Sequence, residues 1–318
     1  MVSRKPVTIL MAVRDTPAAM LRQAIDSIRR QTLQDWEFVI LDDGSEQRET
    51  CAELERQAAA DSRIRLERGP ARGLTPTLNL GLALAGGDLI ARQDGDDWSE
   101  PNRLECQMEF LREHPHTGFC GTNVWTHQQN GRPLWATRLP ESAVAVHEAL
   151  RRGNPFVHGS TMFRSAAARA LGGYREQFSC AQDYDFFWRL SDVYGGANLP
   201  EPLYHYRYTA GAVSARRAAE QARSHRAAQV LAEARRRGME DVADAWALAE
   251  SEAQSGLGLL RAALRQIDHR MLAGDIGAAG RAYVQVLAAH PASRLALGKL
   301  LRWAVFSVAP PAREWCFR

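Results

Sequence analysis

Two rhythms of apolar residues alternate over the first ninety positions. Short apolar runs at Val7 to Val13, Glu37 to Leu41, Arg63 to Glu67 and Asp88 to Arg92 predict strands. The segments Ala18 to Gln31, Arg48 to Ala60 and Thr75 to Ala85 place apolar residues at helical spacing. Strand and helix in regular alternation specify a parallel sheet, and ligands in such sheets bind beyond the carboxyl ends of the strands.

Further on the pattern changes. A helix from Pro101 to Glu113 is followed by Gly121 to His127, an Asn-Gly turn within Gln129-Asn130-Gly131, and Pro133 to Leu139, which together predict a hairpin and make the sheet mixed. A strand at Phe156 to Arg164, a helix at Asp183 to Tyr194 and an aromatic strand at Leu203 to Tyr208 complete the α/β part. From Ala215 to about Val308 the chain is rich in Ala, Arg and Leu at helical spacing, as at Ile276, Ala279, Tyr283 and Leu287, with no strand signature. Two domains are expected, residues 1–215 as the catalytic α/β domain and 216–318 as an all-helical region.

Composition narrows the function. The 318 residues carry a net charge of only +3, too slight for a nucleic-acid binder with its basic stripe, so small molecules or glycans are the expected partners. Five scattered cysteines form no close pair of the kind that ligates zinc or builds a disulfide framework, which suits a reducing cytoplasm. The run Val7 to Val13 meets Arg14 and Asp15 directly and offers no small-residue cleavage site, so it is expected to be a buried strand and not a signal or a span. Lysine occurs only at positions 5 and 299, which excludes phosphohydrolase chemistry that relies on a central lysine. No GxGxxG or GxxxxGK motif is present, and Ala12-Val13-Arg14-Asp15-Thr16-Pro17 lacks the glycine-rich basic loop of a nucleotidyl transferase.

Two strands end in acidic turns. Asp42-Asp43-Gly44-Ser45 follows one, and Gln93-Asp94-Gly95-Asp96-Asp97 follows another. Carboxylates crowded at a sheet edge repel each other unless they hold a hard cation such as Mg²⁺ or Mn²⁺. In Asp94-Gly95-Asp96 alternate residues of an extended loop point the same way, and Gly95 lets the backbone approach a diphosphate. The alternative is that these aspartates only cap turns, which is the simpler account of Asp97.

These segments resemble family 2 glycosyltransferases of the GT-A fold, a Rossmann-like, mainly parallel mixed sheet flanked by helices, from Val7 to about Ser214. Val39-Ile40-Leu41-Asp42-Asp43-Gly44-Ser45 is similar to the family's second-strand motif. Ile90-Ala91-Arg92-Gln93-Asp94-Gly95-Asp96-Asp97 with Pro101, Arg103 and Leu104 resembles its DxD segment, and Ala181-Gln182-Asp183-Tyr184-Asp185-Phe186-Phe187-Trp188-Arg189-Leu190 its catalytic-base helix.

The resemblance implies that a nucleoside-diphosphate sugar, with UDP favoured, donates to an acceptor hydroxyl with inversion, in the assembly of a surface polysaccharide or similar glycan. It places Asp43 on the nucleotide base, Asp94 near the ribose, Asp96 on a Mn²⁺ or Mg²⁺ ion and Asp183 as the base. Ala12, Val13 and Asp15 would form the first wall of the nucleotide pocket, where relatives usually carry Pro-Val-Tyr-Asn. Other readings stand beside these roles: Asp183 as a helix cap, with Asp185 the alternative base; His158 as an acceptor-side or a core histidine; Arg207 on phosphate or in a surface ion pair.

Gln182 and Tyr208-Thr209 depart from the family pattern, removing a glutamate before the base and a histidine after Arg207. The helical region either packs as a helix pair or docks on the inner face of the cell membrane to meet a lipid-linked acceptor. The docking reading rests on Arg294, Lys299 and Arg302 beside Leu297, Leu301, Trp303 and Phe306. A rival from another class is a catalytically silent nucleotide-sugar binder or assembly subunit, against which Asp96 and Asp183 both argue.

Overall fold

A computed structural model describes residues 5–209, 217–238, 242–291 and 293–298. The expected boundary at 215–216 and the residues from Lys299 onward, including Arg302, Trp303 and Phe306, lie outside the described residues. The chain divides into two compact units, residues 1–125 with 138–206, and residues 126–137 with 207–318.

The first unit opens with the expected alternation: β1 (Val7–Val13), α1 (Ala18–Arg29), β2 (Trp36–Asp43), α2 (Arg48–Ala60), β3 (Ile64–Gly69), α3 (Leu74–Leu84) and β4 (Leu89–Arg92). β1, β2 and β4 are buried almost throughout because helices cover both faces of the sheet, which is why they read as unbroken apolar runs. Their core includes Ile9, Met11, Phe38, Ile40 and Ala91, with Leu21, Ile25 and Ile28 from α1. α3 lies so close on the sheet that any side chain at Gly81 would run into Leu10 and Leu41.

The remaining elements are β5 (Trp98–Ser99), α4 (Arg103–Glu113), β6 (Phe119–His127), β7 (Pro133–Ala136), α5 (Ala143–Leu150), a 3₁₀ turn at His158–Ser160, β8 (Met162–Arg164), α6 (Ser165–Ala170), α7 (Gln182–Tyr194) and β9 (Gly196–Arg207). The strand order is β3-β2-β1-β4-β8-β6-β9-β5, with β7 paired to β6. β1 to β4 run parallel, whereas β8 lies antiparallel to both β4 and β6, so the sheet is mixed.

One expected strand is broken. Of Phe156 to Arg164 only Met162–Arg164 pairs in the sheet. The hydroxyls of Ser160 and Thr161 donate to the carbonyls of Val157 and His158, each at 2.8 Å, and this local bonding replaces the ladder and turns the chain. Helices α5 and α6 were not signalled by the sequence pattern; they are short and Ala-rich, too brief to establish a period.

In the second unit α8 (Ala218–Arg236), α9 (Val242–Gln254), α10 (Gly256–Ala273) and α11 (Ile276–Ala289) follow. α8 is tied to α9 by Arg223–Glu250 at 2.6 Å and Arg226–Glu252 at 2.8 Å. Leu260, Leu264, Ile267, Ala279 and Tyr283 form a core between α10 and α11.

Candidate active site

Register brings the strand ends level: Val13 stands beside Asp42 and Leu10 beside Arg92. Ala12 and Val13 therefore close β1 at the edge where both acidic turns emerge. Asp15 adopts the left-handed backbone region at φ 50°. Its Oδ1 accepts from the amides of Glu46 at 2.7 Å and Gln47 at 2.9 Å, immediately before α2, and its own amide donates to Ser45 Oγ at 2.9 Å. Asp15 thus satisfies amides at the entry to α2 and joins the loops after β1 and β2.

The carboxylate of Asp43 faces inward. Its Oδ1 accepts from the Arg72 amide at 2.7 Å and Thr77 Oγ1 at 2.9 Å, and its Oδ2 accepts from the Gly73 amide at 3.0 Å. Three bonds engage three of roughly four lone-pair positions, leaving about one for anything else. Gly44, at φ +72°, sits where a Cβ would meet the Ala71 amide nitrogen at 2.7 Å, so the acidic turn and the 71–73 loop are built against each other.

After β4, Arg92 is wholly buried and pairs through Nη2 with Asp94 Oδ1 at 2.8 Å, while Asp94 keeps 31% of its side chain exposed. A buried arginine is held by full use of its donors: Arg92 Nη1 also donates to the Leu10 carbonyl, and Nε to His158 Nε2 at 3.2 Å. The Asp94 amide donates to the Tyr204 hydroxyl at 3.2 Å. Gly159 closes the other side, where a Cβ would fall on that hydroxyl and lie 2.8 Å from Asp94 Oδ2. At Gly95 a Cβ would meet Val13 at 2.9 Å, so the absent side chain lets the loop lie against the end of β1.

Asp183 occupies the first turn of α7, whose preceding residue Ala181 is left-handed at φ 53° and provides no side-chain cap. Asn154 Nδ2 donates to Asp183 Oδ2 at 2.7 Å. Burial, and then the charge of Asp94, push the Asp183 carboxyl up to about 6 against the amides of Tyr184 and Asp183 and the Asn154 hydrogen bond. Asp185, two residues on, is buried between Arg189 Nε at 2.9 Å and Arg175 Nη1 at 3.3 Å. Arg189 in turn donates to the carbonyls of Leu171 and Gly173, so Asp185 anchors α7 to the loop after α6.

Four carboxylates converge on Tyr206. Burial first, then Asp97, Asp96, Asp94 and Asp183, all raise its hydroxyl well above the usual tyrosine value. This gathering brings Asp96 and Asp183, 87 positions apart in the chain, into one electrostatic neighbourhood. Carboxylate oxygens are the donors that a hard divalent cation takes. Among the described residues no group of three or more His, Cys, Asp or Glu is arranged as a cage of protein ligands alone.

His158 is a half-buried histidine. Burial and the adjacent Arg92 hold it well below its ordinary value, and its Nε2 faces both the Arg92 guanidinium and the Tyr174 hydroxyl, the latter at 2.9 Å. Arg103 supports the same floor, donating to the carbonyls of Arg92 at 2.9 Å and Gly159 at 3.0 Å, and burial brings it down to about 10. Sequence reasoning passed over Arg92, Asn154, Tyr174 and Tyr204. Arg92 left a detectable signal, a charge at the end of an apolar strand run two positions before Asp94. Asn154, Tyr174 and Tyr204 left none, since their partners are 16 to 110 residues away.

Arg207 belongs to the second unit, where it is buried and its Nη1 approaches the Gln129 carbonyl at 3.5 Å. A cavity of about 610 Å³ lies at the opposite edge of the sheet, around Pro6 and Leu89 at the strand beginnings, and takes in none of the carboxylates above.

Residues 8–171 match glycosyl transferase family 2. The chain is 35% identical over 207 residues to the putative glycosyltransferase EpsE of Bacillus subtilis, covering 63% of this chain and 72% of that protein. It is 30% identical over 198 residues to the amylovoran biosynthesis glycosyltransferase AmsE of Erwinia amylovora, covering 62% and 74%. Among solved structures, the mannosyltransferase PcManGT from Pyrobaculum calidifontis, in complex with GDP-Man and Mn²⁺, aligns with a TM-score of 0.57 at 18% identity, covering 98% of this chain and 82% of that one. S. aureus TarS 1-349 in complex with UDP-GlcNAc aligns at 0.56 with 14% identity, covering 84% and 81%. The solved structures share the fold, and with a family match across half its length the chain belongs to glycosyl transferase family 2.

Proposed function

We propose that this protein is an inverting, metal-dependent transferase that moves a sugar from a nucleoside diphosphate, UDP being favoured, to an acceptor hydroxyl during assembly of a surface polysaccharide or similar glycan. The observation that carries this reading is the Asp183 carboxylate. It is raised to about 6, poised to accept a proton near neutral pH, and shares an electrostatic neighbourhood with Asp94 and Asp96 at the strand ends. The relative named for amylovoran biosynthesis, and the solved structures holding GDP-Man with Mn²⁺ or UDP-GlcNAc, support it.

Asp96 would hold Mn²⁺ or Mg²⁺, and Asp94, fixed by Arg92 and Tyr204, would meet the ribose. Asp43 takes the nucleotide base with its remaining lone pair, beside the wall formed by Ala12, Val13 and Asp15. Gly95 carries the loop close beneath the diphosphate. His158 stands on the acceptor side as a neutral strut for Arg92, and Asp185 positions α7. When bound, the cation neutralises charge on the leaving diphosphate.

Asp183 takes the acceptor's hydroxyl proton as that oxygen forms its bond to the anomeric carbon from the face opposite the leaving group. The bond from that carbon to phosphate oxygen breaks, and its electron pair departs with the nucleoside diphosphate. The proton then passes from Asp183 to solvent. Residues 1–215 carry both substrates, and the region 216–318, which includes helices α8 to α11, operates at the inner membrane face when the acceptor is lipid-linked.

Calorimetric titration with UDP, GDP and dTDP, each with and without Mn²⁺, tests the reading on wild type and Asp96→Asn. Metal-dependent binding of one diphosphate, lost in the variant, is expected. Absence of binding to every nucleotide with either metal state would overturn it.

A further inference from the structure

The segment preceding the 3₁₀ turn contributes one side chain to Asp183, and its geometry is over-determined. Asn154 Oδ1 accepts from the Phe156 amide at 3.1 Å, which settles the orientation of the side-chain amide. Its Nδ2 must then point the other way, and it meets Asp183 Oδ2 at 2.7 Å. Pro155, which follows Asn154, narrows that residue to extended backbone. Tyr184, the neighbour of Asp183, is itself tied by its hydroxyl to the Leu150 carbonyl, so α7 and the 150–156 segment are joined at the base and at the residue after it.

We propose that Asn154 is a positioning residue for the base, holding the Asp183 carboxylate in one rotamer by donating to Oδ2. This rests on the transferase reading above. Among the groups that act most strongly on Asp183, burial and Asp94 work against its ionised form. Asp94 across the loop after β4 is a like charge, and Tyr206 on β9 and Tyr174 after α6 stay protonated because burial and neighbouring carboxylates raise them. Asn154 is the side-chain donor that favours the charged carboxylate, alongside the two first-turn amides. Its side-chain donor is directed to Asp183, so its effect is exerted through that carboxylate.

Asn154→Asp is the sharpest test, because it is isosteric, keeps the acceptor for the Phe156 amide and replaces the donor with a second carboxylate. Asn154→Ala removes the donor without adding charge. The first readout is a carbon-13 NMR titration of the Asp183 carboxyl, assigned by its loss in Asp183→Asn, which requires no substrate. The midpoint is expected to rise by roughly half to one pH unit in Asn154→Ala and further in Asn154→Asp. The second is hydrolysis of UDP-GlcNAc and GDP-Man with Mn²⁺, in which water replaces the acceptor. kcat at pH 6.5 is expected to fall about ten-fold in Asn154→Ala with KM unchanged, and its acidic limb should move with the NMR midpoint.

An unchanged midpoint in a folded Asn154→Asp overturns the inference. A shifted midpoint in the variants, with a wild type that binds no nucleoside diphosphate with or without Mn²⁺, overturns the transferase reading and with it the catalytic meaning of the contact, leaving only the hydrogen bond. A lower kcat with an unmoved pH profile assigns Asn154 a merely structural part and overturns the proposal.

Discussion

Arg92 and Asp94 are joined at 2.8 Å across two positions of one strand end, with the guanidinium wholly buried and about a third of the carboxylate in solvent. The pair holds the carboxylate at the border of the protein, while Leu10 and His158 accept from the other donors of the arginine.

Arg92→Met should therefore damage both stability and binding. Losing the bonds to Leu10, His158 and Asp94 is expected to cost about 2–4 kcal/mol, since buried acceptors are left unsatisfied but Asp94 can rehydrate. Chemical denaturation measures that loss, and calorimetry should show Mn²⁺-dependent nucleotide affinity falling by about ten-fold or more as Asp94 swings free. A variant equally stable and equally tight would show the pair to be incidental.

Gly159→Ala tests the close approach behind Asp94. The added carbon lands on the Tyr204 hydroxyl and 2.8 Å from Asp94 Oδ2. Overpacking of this kind costs about 1–3 kcal/mol, and nucleotide binding should fall with it. Adding Tyr204→Phe should restore only part of the loss, because the ring carbon Cζ is itself 2.7 Å from the new atom.

Asp183 should make the fold less stable where it makes the enzyme active. Its native carboxyl titrates near 6 and the ordinary value is 3.8, so between these the folded protein binds more protons than the unfolded chain. Its contribution to stability is therefore fully present below about pH 4 and is lost as pH rises through about 6. Asp183→Asn is expected to be about 1–2 kcal/mol more stable than wild type at pH 7, a figure reduced for its partial exposure, with the difference vanishing near pH 4. Urea midpoints at the two pH values measure this, and transfer activity should be abolished in the same variant.

Asp15 offers a contrast between two small substitutions. Asp15→Ala removes the acceptor for the Glu46 and Gln47 amides and places alanine at φ 50°, which should cost about 1–3 kcal/mol. Asp15→Asn keeps an acceptor and tolerates that backbone, so its urea midpoint should stay within about 0.5 kcal/mol of wild type.

The sequence by itself determined β1 to β4 and the edge at which Asp43, Asp94 and Asp96 emerge, because a strand buried on both faces and the helix that follows it are written in neighbouring residues. The hairpin of β6 and β7 was equally local, set by Asn130-Gly131. Tertiary structure alone decided that β8 enters the sheet antiparallel between β4 and β6 and that the chain before it folds into a turn, since hydroxyl-to-carbonyl bonding at Ser160 and Thr161 outcompetes a ladder that apolar pattern had suggested. It also decided which polar residues serve the site. Asp185 resembles Asp183 in sequence yet is committed to Arg175 and Arg189, and Asn154 gains its meaning only when a helix 29 positions later sets Asp183 against it. Periodicity records which face a residue buries, whereas a hydrogen bond between distant segments depends on where the whole sheet carries them.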